Sequence, residues 1–181
     1  MNTREHTAMK MRGNPDISYL GHTVDQMIWS FMEQEKIDGL TLAIVQAPYI
    51  PRVAGYGYSD SRRRRLASPN TMWPAGPISQ AFAAVAVMQL HEDGGLDVNR
   101  RASVYIPELP DTWNDITVLQ LLRHASGLPD YRRAPEFSPD TPWTFDALLQ
   151  LAARNPLHFV PGTDVEQSAT NFLLLTEIVE R

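Results

Sequence analysis

No cysteine occurs among the 181 residues, which excludes disulfides, thiolate nucleophiles and cysteine-held metals. Lysine is almost as scarce: Lys10 and Lys36 are the only two, so no lysine amine is available from position 37 onward. No stretch approaches the roughly 18 consecutive apolar residues that span a bilayer. Residues 1–16 are polar and lack the apolar core, roughly 7–15 residues long, of a secretory leader, so the expected location is cytoplasmic. The histidines are scattered, with no His-x-x-x-His spacing, and no metal or cofactor is expected. Also missing is a Gly-x-Ser-x-Gly nucleophile elbow. The formal net charge of −5 argues against a nucleic-acid partner. Clustered positive charge is confined to Arg62-Arg63-Arg64-Arg65, which reads as a solvated turn or an anion or partner contact.

What is present is enough for one domain with a real core. Residues 1–18 read as a mobile polar lead-in, and residues 19–181 as the folded part. Val24, Met27, Ile28, Phe31 and Met32 recur at helical spacing behind Thr23, a suitable N-cap, with Asp38-Gly39 as the stop. The β-branched run from Leu40 to Val45 and the segment from Arg52 to Tyr58 read as two strands, joined closely enough for an antiparallel hairpin. A very apolar helix follows from Pro77 to about Glu92, expected to be buried on most sides. Shorter helices are expected from Val118 to about His124 and from Phe145 to Arg154, and a last one from Ser168 to Arg181. Helix, strand pair and a run of helices make an α+β protein, with residues 19–76 as helix and hairpin and 77–181 mainly helical. A two-stranded sheet is marginal alone, so its edge calls for pairing or cover.

Three stretches carry a resemblance. The first runs from Ala83 through Gln89-Leu90 and Gly94-Gly95-Leu96-Asp97 into Tyr105-Ile106-Pro107-Glu108-Leu109. The second is Ile116-Thr117-Val118-Leu119-Gln120-Leu121-Leu122-Arg123-His124-Ala125-Ser126-Gly127-Leu128-Pro129-Asp130. The third is Pro161-Gly162-Thr163 with the helix through Leu173-Leu174-Leu175. In this order and spacing they resemble the serine β-lactamase and penicillin-binding-protein family, which includes class C β-lactamases, D-amino-acid peptidases and esterases. The resemblance covers residues 40–181 and implies the N-terminal part of a β-lactamase/transpeptidase-like fold. In that fold an antiparallel sheet is flanked by helices and completed by strands later in the chain. The incomplete strand pair here is expected on that account.

The resemblance also implies where chemistry belongs. The family uses a Ser-x-x-Lys motif, in which the lysine takes the serine proton, and a Tyr-x-Asn motif on a neighbouring loop. Counting from Gln89-Leu90 puts Pro77 at the serine position and Gln80 at the lysine position. Counting from Pro161-Gly162-Thr163 puts Gln167 at the tyrosine and Ala169 at the asparagine. Proline offers no nucleophile, and glutamine is no base near neutral pH. Ser79 is the nearest other hydroxyl, but its i+3 partner is Phe82. Proline suits the first turn of a helix, so Pro77 preserves the fold while removing the reaction.

Trp73 matches the aromatic that precedes the family nucleophile and is assigned to the core; with Ser79 and Ser168 it is a candidate for the cleft. His124 and Ser126 are read as a structural turn with Gly127 ending the helix, His91 as a charge complement at a helix C-terminus, and His158 as packing. Asp130, Tyr131, Glu136, Asp140 and Asp146 are read as surface. The expected function is a non-catalytic pseudoenzyme that binds a ligand or a protein, with a partner or a second copy completing the sheet. The alternatives are a fragment of a serine hydrolase without independent function, or a weak esterase or amidase using other residues.

Overall fold

Thr23 opens the first helix with a reciprocal pair of hydrogen bonds. Its hydroxyl accepts from the Gln26 N–H at 3.3 Å, and the Gln26 side chain accepts from the Thr23 N–H at 3.0 Å. The computed structural model describes residues 10–13, 17–19, 22–46 and 49–181. Two compact units emerge, Met1–Pro74 and Ala75–Arg181.

In the first unit α1 (Val24–Glu35) ends at Lys36, whose φ of 54° is left-handed. The Ile37 N–H turns back to the Met32 carbonyl at 2.9 Å. The stop therefore precedes the expected Asp38-Gly39, and Gly39 instead begins a strand. The strands are β1 (Lys10–Gly13), β2 (Ser18–Tyr19), β3 (His22–Thr23), β4 (Gly39–Gln46), β5 (Tyr49–Asp60) and β6 (Arg65–Leu66). The expected hairpin is β4 against β5, antiparallel, with Leu40 opposite Tyr56 and Leu42 opposite Ala54. Beyond the expected pair, β1 covers the other side of β5, with Arg12 opposite Val53, and β6 pairs with the end of β5. The result is a four-stranded sheet and a separate β2–β3 ladder. The lead-in expected over residues 1–18 thus contains a sheet strand. Four residues without apolar alternation give no period-2 pattern, and backbone pairing alone places them.

Met32, Ala54 and Tyr56 form the buried centre of this unit, with Ile28, Trp29, Ile37, Leu40 and Leu42 packed around them. Arg52 is fully buried among them. Its guanidinium pairs with Asp25 and donates to the Tyr56 hydroxyl at 3.2 Å, while that hydroxyl donates to Asp25 at 2.8 Å. The three polar side chains tie β5 to the first turn of α1, so a buried charge is matched rather than stranded.

The second unit holds α2 (Ser79–Glu92), α3 (Val118–Leu122), α4 (Phe145–Ala153) and α5 (Ala169–Glu180), linked by irregular segments and short 3₁₀ turns. Its core gathers Val87, Ile106, Trp113, Ile116, Val118, Leu121, Leu174 and Leu175. Each large apolar side chain so buried contributes roughly 1.5–3 kcal/mol relative to exposure. Both α2 and α3 pack on α5. The expectation that α2 is buried on most sides needs correction. Val87 is its one buried residue among those described, and Phe82 and Val85 are 74% and 58% exposed. Its apolar residues run all round the helix, while neighbours cover only part of the circumference.

The expected end of α3 shifts for an identifiable reason. Thr117 and Gln120 repeat the capping box seen at Thr23, and α3 stops at Leu122 because His124 adopts φ 55°. His124, rather than Gly127, takes the left-handed position after the helix. Gly127 is needed for a different reason. At φ 74° its missing side chain makes room for the Phe159 carbonyl, 2.3 Å from where a Cβ would stand.

Candidate active-site region

The segment that should carry the nucleophile begins with a left-handed Gly76, φ 53°, and a single 3₁₀ turn over Gly76–Ile78 with Pro77 in its first positions. Ser79 then starts α2. Pro77 and Ser79 are exposed, Gln80 is half-buried, and no side chain caps this helix N-terminus. The Ser79 hydroxyl makes no hydrogen bond with any described residue, so nothing there withdraws its proton.

The second motif stands at the start of α5, in the same unit. Ser168 is the N-cap: buried, it accepts from the Thr170 N–H at 3.2 Å. Its hydroxyl caps the helix end. Ala169 is the first residue of the helix and is buried, whereas Gln167 is exposed.

Behind Ser168 runs a chain of directed hydrogen bonds. The Leu128 N–H donates to the Ser126 hydroxyl at 3.1 Å, which donates to the Asn171 side-chain oxygen. The Asn171 amide donates to His124 Nδ1 at 3.0 Å, and the Ser168 N–H approaches the same nitrogen at 3.3 Å. Two donors on Nδ1 fix the neutral tautomer with its proton on Nε2. Burial agrees, pushing the His124 pKa down. His124 and Ser126 are thus structural, as expected, but Asn171 is the member that the sequence reading missed. Thr170 adds a further tie, donating to the Pro129 carbonyl and accepting from the Tyr131 N–H.

An open depression of about 450 Å³ lies beside this junction, lined by Asp130, Arg132, Arg133, Glu166 and Gln167. Asp130 is not the surface residue expected, being only 8% exposed. Burial alone would raise its carboxyl pKa. Hydrogen bonds from the Arg132 side chain and from the backbone N–H groups of Arg132 and Ala169 outweigh this and hold it below the usual value. Arg132 binds both carboxylate oxygens, at 2.6–3.2 Å. Glu166 receives Arg133 at 2.9 Å and His158 at 2.7 Å, and the hydrogen bond from His158 leads in lowering its pKa. His158 is therefore a partner of a carboxylate rather than a packing residue. His91 likewise clamps the turn after α2, its Nδ1 2.9 Å from the Leu96 carbonyl. Among the described residues no group of three or more His, Asp or Glu side chains could hold a metal ion.

Trp73 belongs to the other unit and corrects another expectation. It is 42% exposed and not a core residue, held by an Nε1–H bond of 2.9 Å to the Thr41 hydroxyl. Trp113, 1% exposed, is the buried tryptophan.

An antiparallel sheet with its own helix, a helical unit, and two motif positions at helix N-termini define a β-lactamase/transpeptidase-like α+β protein. The β-lactamase family model matches residues 24–181, and the chain belongs to that family. It is similar to the protein flp of Staphylococcus aureus, 27% identical over 161 residues, covering 87% of this chain and 32% of that one. A β-lactamase of Providencia stuartii is 32% identical over 110 residues, 58% of this chain and 27% of its own. Among solved structures, a D-amino acid amidase from Ochrobactrum anthropi superposes with a TM-score of 0.71 at 23% identity, over 85% of this chain and 43% of the amidase. A class C β-lactamase superposes with a TM-score of 0.65 at 26% identity, over 86% and 42%. The chain thus spans about a third of the length of the S. aureus relative it matches. No helix among the described residues is long and apolar enough to cross a membrane.

Proposed function

We propose that this chain is a β-lactamase-family pseudoenzyme, keeping the family's framework for binding a ligand or a protein while lacking its serine chemistry. One observation carries the reading. The turn that leads into α2 presents Pro77-Ile78-Ser79-Gln80 where the family resemblance requires a serine and a lysine three residues on. Gln167 and Ala169 at the start of α5 repeat the pattern for tyrosine and asparagine. An alcohol needs a neighbouring base to become a nucleophile, and no lysine follows Lys36. Association is the function that remains available. A partner strand along β4, which pairs only with β5 among the described residues, is one route to it.

The test is intact-protein mass after exposure to a penicillin-type β-lactam and to an activated ester. The expected mass is unchanged, with substrate disappearing no faster than in buffer. A stable acyl adduct on a serine of the unaltered chain would overturn the reading. So would ester turnover abolished by Ser79→Ala or His124→Ala, which would assign a weak esterase using other residues. Acylation gained by a variant carrying Pro77→Ser, Gln80→Lys, Gln167→Tyr and Ala169→Asn would support a retained pocket from which only the reacting groups are missing.

A further inference from the structure

The four consecutive arginines play no part in that reading, and their setting is specific. They occupy the reversal between β5 and β6, where Arg62, Arg63, Arg64 and Arg65 are all exposed. Side-chain bonds to the backbone fix the turn: the Arg63 N–H donates to the Asp60 carboxylate at 3.0 Å, and the Ser59 hydroxyl to the Arg65 carbonyl at 3.2 Å. Arg64 takes the left-handed conformation, φ 53°. Only Arg63 has a carboxylate partner among the described residues, Asp60 at 3.7 Å, and its side chain is still 82% exposed. Such an exposed pair neutralises little.

Two further observations converge on the same place. Arg62 lines a depression of about 470 Å³ together with Tyr58, Asp38, Asp60 and Trp73. Trp73 has its indole N–H anchored to Thr41, and the adjoining Met72 is 95% exposed. A basic turn thus shares a depression with an aromatic ring, and the residue before that ring in the chain, Met72, is exposed. The charge of the chain is also divided unevenly. Residues 1–74 carry nine Lys and Arg against seven Asp and Glu, while residues 75–181 carry seven against fourteen. The first unit is therefore slightly basic, at +2, and the acidic excess, −7, lies in the second.

We propose that the β5–β6 turn with Met72 and Trp73 is a docking surface for an anionic phospholipid layer. Guanidinium forks suit headgroup phosphates, and a tryptophan suits the boundary between headgroup and acyl chain. A nucleic-acid track would extend the charge over several phosphates, whereas here it is confined to one turn with Trp73 beside it. Each basic residue near an anionic leaflet is worth on the order of a fivefold gain in partition.

The experiment is co-sedimentation of the full chain with phosphatidylcholine vesicles, with and without phosphatidylserine. The expected result is binding only when phosphatidylserine is present, reversed by salt of about 1 M, where charges are screened beyond roughly 3 Å. A variant with Arg62→Gln, Arg63→Gln, Arg64→Asn and Arg65→Gln is expected to lose binding by more than fiftyfold, and Met72→Ser with Trp73→Ser to weaken it further. If the four-residue variant fails to show the parent's cooperative thermal transition, Arg62→Glu with Arg63→Glu replaces it with the same expectation. Equal binding to uncharged vesicles, binding unmoved by the arginine changes, or no binding at all would overturn the proposal. Tighter binding to a single-stranded oligonucleotide than to the charged vesicles would overturn it in favour of a nucleic-acid partner.

Discussion

The Asn171 side-chain amide donates to His124 Nδ1 at 3.0 Å, joining the first turn of α5 to a left-handed residue 47 positions earlier in the chain. The imidazole must be neutral at this nitrogen to accept that bond and the one from Ser168.

This gives stability a defined dependence on pH. Burial lowers the folded-state pKa of His124 below its ordinary 6.5, so on acidification the unfolded chain takes up the proton first. The contribution is complete above about pH 6.5 and is lost as pH falls from there toward the folded pKa. Urea unfolding of the native chain between neutral and mildly acidic pH is expected to show the decline. His124→Asn keeps an oxygen acceptor and tolerates positive φ, and is expected to flatten the decline just below pH 6.5. An unchanged slope in that variant would remove His124 from the explanation.

Gly127 and Gly94 form a matched comparison. Both have positive φ, 74° and 77°, but a Cβ on Gly127 would stand 2.3 Å from the Phe159 carbonyl oxygen, while one on Gly94 would meet nothing within 4 Å. Gly94→Ala is expected to cost about 1–2 kcal/mol, the ordinary penalty of a left-handed alanine. Gly127→Ala carries that penalty and a backbone collision, and is expected to cost at least about 2 kcal/mol more. Equal midpoints in denaturant for the two variants would show that the segment carrying Phe159 yields freely.

Tyr56 should ionise late. Burial, then its hydrogen bond to Asp25, raises its pKa from 10.0 to about 12. The linked stability is complete below about pH 10 and lost as pH rises from there toward the folded value. Absorbance titration of phenolate is expected to show a late component near pH 12 that is lost in Tyr56→Phe. That variant removes both the bond to the Asp25 carboxylate and the one from Arg52, and is expected to lose roughly 1.5–3 kcal/mol at neutral pH, the range for hydrogen bonds to charged groups.

The sequence disclosed what repeats along it. The 3.6-residue period behind Thr23 located α1 and the β-branched run located β4, while the helices read from Pro77 and Ser168 begin slightly later, at Ser79 and Ala169. It could not disclose β1 and β6, because strands of four and two polar-flanked residues are placed by backbone pairing to β5. Nor could it disclose burial. Asp130 and Arg132 are two residues apart and look like surface charges until α5 closes over the carboxylate. Trp73 failed in the opposite direction: its place before the nucleophile position suggested core, yet its indole points a donor at Thr41 and remains half in solvent. The Arg52–Asp25–Tyr56 cluster was invisible because Asp25 lies 27 residues from Arg52 and 31 from Tyr56.

The junction of Ser126, Asn171 and His124 also sets an order of events for folding. Its bonds close loops of 44 to 47 residues, and the entropy of closing such a loop grows with the logarithm of its length and is spent before any contact returns it. α5 can coil locally as soon as it is synthesised. Its first turn acquires a fixed position only after the segment around His124 is in place, and every residue between them must already have been made. The start of α5 is therefore expected to acquire its place late, after the segment around His124 that it bonds to.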